Sequence, residues 1–239
     1  HIAFRDADLI AAWVDALPPV AAWVLEQTQP GLVGPFKDWT HWAGRFDATP
    51  WIPDPRLPRF REKLRSLVAP ARGVARVVGL SGVGKSRLTH EALGPTDEEE
   101  ASRARLSDLV LYSVESEAGS VAIKNILQSL VDSGCRAIVV ADRCPLDTHH
   151  DLVGMVKRTN SRISLVTIDH EIPPSTKGDD ELLVVDQASD TVIEGMIKQI
   201  APDLPSEDHR RLLQCARGFP QMASLLGPAW LQDMPVAGA

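Results

Sequence analysis

Basic residues, cysteines and long apolar runs are all scarce in this 239-residue chain, and each scarcity closes off a class of function. Lysines and arginines number 25 against 32 aspartates and glutamates, for a formal net charge of −7. A general nucleic-acid-binding surface needs a basic excess, and the balance here is the reverse. Cys135, Cys144 and Cys215 are widely spaced and form no CxxC pair. They suggest neither a thiolate zinc site nor a disulfide framework, and predict buried free thiols in a reducing cytoplasm. The most apolar N-terminal stretch, LIAAWVDALPPVAAWVL, is broken by Asp15 and by Pro18-Pro19. It cannot be an uninterrupted membrane helix, and no basic segment with a small-residue cleavage site precedes it. The chain opens on His1 without an initiator methionine, inside an amphipathic pattern. It is therefore expected to be a piece of a longer protein.

What is present is an ordinary globular composition, with 44% hydrophobic and 24% charged residues. A chain of this length can bury a proper core as one main domain with smaller attachments. Three regions differ in character. Residues 1–56 hold Trp13, Trp23, Trp39, Trp42 and Trp51 and end in the Pro-rich TPWIPDPRLP. Two short helices fit there, roughly 6–17 and 19–28, with Leu9, Ala12, Trp13 and Leu17 on one face. The tryptophans are expected to anchor this segment against the next domain or an N-terminal neighbour.

Residues 57–187 alternate strand and helix. The helix RFREKLRSLV, the strand VARVVGL and a helix over 85–93 come first; an acidic loop with Asp97–Glu100 follows. The strands LVLYSVE, RAIVVAD, RISLVTID and ELLVVD are separated by SVAIKNILQSLVDSG and DLVGMVKRTN. Near-continuous apolar strands between helices predict an α/β fold, a parallel sheet of about five strands covered on both faces. Residues 188–239 read as three helices, a small helical domain, with caps expected at Ser189 or Asp190 and at Ser206.

One stretch has a sharp chemical meaning. In VVGLSGVGKSRLTHEAL, the residues Gly79-Leu80-Ser81-Gly82-Val83-Gly84-Lys85-Ser86 match G-x-x-x-x-G-K-[ST] at every fixed position, between a buried strand and a helix. The glycines let backbone N–H groups wrap an anion, and the helix adds its positive N-terminal end. Lys85 is placed to reach β- and γ-phosphates, and the Ser86 hydroxyl to hold Mg²⁺. Gly79, Ser81, Gly82, Val83, Gly84, Lys85, Ser86 and Arg87 form the expected nucleotide-binding set. A P-loop of this kind needs an acidic group on a neighbouring strand tip to organise the metal, and AIVVAD supplies Asp142. Arg143 follows, where many ATPases of the additional-strand type carry an acid that orients water. Asp147 and, at the end of another strand, Glu115 could take that place, though nothing in the sequence shows that either does, and hydrolysis is expected to be slow or absent. Thr167, taken as the end of SRISLVTID, is a candidate γ-phosphate sensor. The absence of an N/T-K-x-D guanine signature favours ATP or ADP.

Taken in order, GLSGVGKSRL, AIVVAD, SRISLVTI and CARGFPQMASLL resemble the STAND class of P-loop NTPases, relatives of the AAA+ proteins that include the NB-ARC proteins of plant immunity and animal apoptosis. The likeness covers roughly residues 57–230. The last stretch resembles the family's c-x-G-x-P-x-a-l-x-x-l element, with Gly218-Phe219-Pro220 as the G-x-P. The resemblance implies that Pro220 packs on the base or sugar side of the nucleotide. Ile168-Asp169 stands where the family commonly has an arginine after the sensor threonine. The resemblance further implies an ATP/ADP switch that assembles with copies of itself, with effector and sensor domains outside this stretch; some members serve bacterial antiviral defence. The competing reading is a P-loop enzyme such as a small-molecule kinase, whose arginine-rich lid would have to come from Arg210, Arg211 and Arg217. Neither a membrane nor a nucleic acid is an expected partner.

Overall fold

A computed structural model of the chain describes residues 17–28, 36–102, 105–114, 119–171 and 181–233. The first expected helix, with Leu9, Ala12 and Trp13, lies outside these residues, as does Glu115. The elements run α1 (Pro18–Thr28), α2 (Trp39–Ala43), α3 (Leu57–Val68), β1 (Val74–Val78), α4 (Lys85–Leu93), α5 (Asp97–Ser102), β2 (Val110–Val114), α6 (Ser120–Asp132), β3 (Ile138–Asp142), α7 (Leu146–Val156), β4 (Ser164–Asp169), β5 (Leu182–Val184), α8 (Asp190–Ile200), α9 (Ser206–Ala216) and α10 (Pro220–Asp233).

The five strands make one sheet in the order β2-β3-β4-β1-β5, and every pairing is parallel. Parallel strands need crossover helices, and these cover both faces, which is why β1 to β3 are buried along their whole length. Side-chain alternation decides which face each residue joins. Ala75, Val77, Tyr112, Ile138, Val140, Val166 and Ile168 pack with α3, α4 and Trp42. Val74, Leu111, Val139, Ala141 and Leu165 pack with α6, α7 and Ala22 of α1. The helices match in period: α3 buries Phe60, Leu64 and Val68, four residues apart.

Of the tryptophans in the N-terminal segment, Trp39, Trp42 and Trp51 belong to this core, whereas Trp23 on α1 is exposed and anchors nothing. Trp42 is fully buried and stacks on Tyr112 with centroids 4.2 Å apart. Trp39 stacks on His90 at 4.5 Å and donates its indole N–H to the His90 carbonyl at 3.0 Å. Lys37 and Tyr112 exchange two backbone hydrogen bonds, of 2.8 and 2.7 Å. Helices α8 to α10 have a separate apolar core of Val192, Ile193, Met196, Ile197, Leu212 and Ala223, against which Ile52 of the N-terminal segment packs.

Three expectations need correction. The acidic run Asp97–Glu100 is helical, as part of α5. Thr96 and Glu99 form a reciprocal cap: the Thr96 hydroxyl accepts from the Glu99 amide at 3.3 Å, and the Glu99 carboxylate accepts from the Thr96 amide at 3.2 Å. Ser206 is the first residue of α9, capped by Pro205, and Ser189 caps α8 without a side-chain bond. Cys135 and Cys144 are buried thiols, but Cys215 is exposed on α9. Among the described residues no helix is long and apolar enough to cross a membrane.

Candidate functional site

The turn from β1 into α4 follows from its glycines. Gly79 has φ +152°, and a Cβ there would stand 2.3 Å from the Val185 carbonyl oxygen, so the strand can turn beside β5 only without a side chain. Val83 faces the core and is buried, which pins the loop from beneath. The Lys85 ammonium donates to the Gly79 and Leu80 carbonyls, both at 2.8 Å, so it arches over the loop. Burial pushes its pKa below the ordinary lysine value, while Asp142 and Asp169 oppose that shift.

Asp142 ends β3 opposite the first turn of α4. Its Oδ2 accepts from the Ser86 hydroxyl at 2.6 Å and from the Tyr112 hydroxyl at 2.8 Å; its Oδ1 accepts from the Arg143 amide at 2.9 Å. Arg143 adopts φ +55° and is exposed. The hydroxyl–carboxylate pair of Ser86 and Asp142 is an all-oxygen donor set suited to a hard cation such as Mg²⁺. No cluster of three or more His, Cys, Asp or Glu groups fit for a metal exists among the described residues.

A cavity of about 420 Å³ opens beside these groups. One wall is Ser81, Gly82, Gly84, Lys85, Ser86 and Arg87 of the loop and α4; another is Asp142, Arg143, Asp169 and His170 at the strand tips. Helices α8 and α10 add Val192, Met196, Pro220, Gln221 and Ser224. Phe46, Trp51, Ile52 and Arg56 of the N-terminal segment close it. The size suits a nucleotide-sized ligand.

The G-x-P turn lies directly on the loop. The Gln221 amide donates to the Gly82 carbonyl at 3.3 Å, and Pro220 Cγ lies 3.7 Å from where a Gly84 Cβ would be. Arg217 at φ +45° and Gly218 at φ +78° turn the chain from α9 into α10, and the Gly218 carbonyl accepts from the Ala188 amide at 2.8 Å.

Not every candidate comes to the cavity. Thr167 is fully buried; its hydroxyl pairs with His149 Nδ1 at 2.8 Å and lies 3.4 Å from Arg76 Nη1. The strand tip is instead Asp169, because the ladder runs on to Val78↔Asp169. Asp147 is exposed on α7 and does not line the cavity. Gly79 contributes its carbonyl to Lys85 and Val83 its side chain to the core; neither lines the cavity. Arg87 does: its guanidinium lies 4.8 Å from the Phe46 ring centroid and 5.2 Å from that of Trp51, and pairs with Glu91 at 2.7 Å.

Sequence reasoning missed several residues. Tyr112 gives no local sign of its bond to Asp142, since the two meet only through the β2–β3 register. Arg56 binds the buried Asp54 carboxylate, the Asp186 carbonyl and, at 3.5 Å, the Val83 carbonyl. The Pro-rich composition of that stretch gives no sign of these bonds.

No protein-family model matches the chain, and no curated protein matches it. Solved structures do. PCH-2 of C. elegans aligns at 15% identity and TM-score 0.48 over 75% of this chain and 60% of its own. A STAND protein with a tetratricopeptide repeat sensor from Pyrococcus horikoshii aligns at 14% and 0.40 over 72% of this chain and 30% of its own. A structure of the E. coli MS115-1 HORMA:CdnC:Trip13 complex aligns at 11% and 0.45, over 98% of this chain and 88% of the other. This chain thus spans less than two thirds of the first two. At these identities and scores the likenesses carry no functional argument, which must come from the site.

Proposed function

We propose that the chain binds ATP or ADP with Mg²⁺ in this cavity and acts as a nucleotide-dependent switch, its helical domain reporting which nucleotide is held. The observation that carries the reading is the seating of Gly218-Phe219-Pro220 against a complete phosphate loop, so one cavity has walls from both the sheet and the helical domain. Lys85 and the loop amides would hold the phosphates, and Ser86 with Asp142 the Mg²⁺, which when bound supplies neutralisation of phosphate charge. Phe46, Trp51, Ile52, Val192 and Met196 offer the apolar surface a purine needs.

Turnover by the single chain is expected to be slow. Arg143 cannot accept a proton from water, and Thr167 is already bonded inside the protein. An arginine that neutralises the moving phosphoryl group is worth on the order of 10³- to 10⁵-fold, and at this cavity Arg56 and Arg87 are already paired with Asp54 and Glu91. Assembly with further copies, which the STAND resemblance implies, would supply what is missing; effector and sensor domains and a role in antiviral defence belong to the same analogy. The kinase alternative gains nothing from the site, because Arg210, Arg211 and Arg217 are exposed and do not line the cavity.

Calorimetric titration with ATP, ADP and GTP in the presence of Mg²⁺ tests the reading. Saturable binding of the adenine nucleotides, tighter than GTP, is expected; no binding of any of them overturns it. In a turnover assay at saturating ATP, a concentration-independent kcat on the order of 10 s⁻¹ would contradict the switch.

A further inference from the structure

Tyr112 is the chain's only tyrosine. It sits in the middle of β2, 1% exposed, with its ring stacked on Trp42 and the Arg45 guanidinium 5.7 Å from its centroid. Its register partner is Val140, two residues before Asp142 on the neighbouring strand and on the same face. The hydroxyl is thereby delivered along the sheet to Asp142 Oδ2 at 2.8 Å, the oxygen that also accepts from Ser86.

We infer that Tyr112 is a positioning residue for the metal-binding carboxylate, holding Asp142 in the orientation that Ser86 and Mg²⁺ require; the inference rests on the nucleotide reading above. A carboxylate at a strand tip can turn about its last side-chain torsion. With Oδ1 fixed by the Arg143 amide and Oδ2 by two hydroxyls, turning away would strand the buried phenol without its acceptor. The phenol cannot move in compensation, because its ring lies against Trp42 at an interplanar angle of 11°. Groups that fix metal ligands from behind are typically worth 10- to 100-fold in metal affinity or activity. The N-terminal segment therefore reaches the metal site through Trp42, which stacks on Tyr112, whose hydroxyl bonds Asp142.

The test separates metal from nucleotide. ATP affinity of the full chain and of Tyr112→Phe is measured in EDTA and across a Mg²⁺ titration. Tyr112→Phe keeps the ring and its stacking, so affinity in EDTA should stay within about twofold while the Mg²⁺ midpoint rises on the order of tenfold. An unchanged midpoint, or an equal loss with and without Mg²⁺, would overturn the inference and leave Tyr112 a packing residue. With 3-fluorotyrosine incorporated, the one ¹⁹F resonance should move on adding Mg²⁺ to the ATP-bound chain and stay still for ATP in EDTA; a signal indifferent to Mg²⁺ would contradict the inference. Failure of the parent chain to bind ATP under either condition would remove the nucleotide reading and the inference with it.

Discussion

Arg76 and His149 show how polar groups are kept inside this sheet. Arg76 points from β1 to the face covered by α7, where its guanidinium donates to the carbonyls of Cys144 at 3.2 Å and Glu171 at 3.3 Å and lies 3.9 Å from Asp169. Those bonds tie down the loops after β3 and β4, whose tips hold Asp142 and Asp169. Beside it His149 is buried, and burial, with Arg76 and His150 nearby, lowers its pKa from 6.5 to about 4. Its contribution is fully present above pH 6.5 and is lost as pH falls through about 4, because the unfolded chain takes up the proton first. Stability should fall by on the order of 1 kcal/mol from pH 7 to 5.5 on this account. Urea melts should show His149→Gln flattening that slope; an unchanged slope would mean the imidazole is not held neutral. The placement of Lys85 and Ser86 at the start of α4, after the loop, was legible because the motif is local. Thr167 was misread because strand length is set by the partner: the ladder to β1 carries β4 on to Asp169.

At the scale of elements, the order of strands and helices was readable from apolar runs and 3.6-residue periodicity, which directly reflect burial on two faces. What could not be read was docking across distance. The abundance of tryptophan foretold an anchor, but only the tertiary structure shows Trp42 on Tyr112 and Phe46 and Trp51 at the cavity. Truncation of Trp42 to Ala should cost about 3–5 kcal/mol by chemical denaturation, as expected for a fully buried large side chain; a loss below about 1 kcal/mol would show the segment to be detachable. Helix α5 was legible in principle, since Thr96-x-x-Glu99 is a capping pattern that the acidic composition masked. Thr96→Ala should lower stability by about 1 kcal/mol, and Arg65, which pairs with Glu99, ties that helix to α3.

For the whole molecule, the telling feature is where three parts meet. β1 leads into the 79–86 loop, α10 seats Pro220 and Gln221 on it, and Arg56 links the N-terminal segment to both the Val83 and Asp186 carbonyls. A ligand bound there touches all three, so binding should stabilise them together. Gly218→Ala tests the α9–α10 turn: at φ +78° a Cβ would stand 2.8 Å from the Ala188 carbonyl oxygen, and the turn should lift from the loop. Nucleotide affinity should fall while the sheet stays folded by circular dichroism. The most direct measurement is calorimetry of Mg²⁺–ATP binding to Lys85→Ala beside the parent chain. The side chain arches over the loop without entering the core, so the fold should persist while affinity drops at least tenfold, the loss of one charge-assisted phosphate contact of about 1.5–3 kcal/mol. A folded Lys85→Ala chain that bound ATP as tightly as its parent would contradict the assignment of this loop as the nucleotide site.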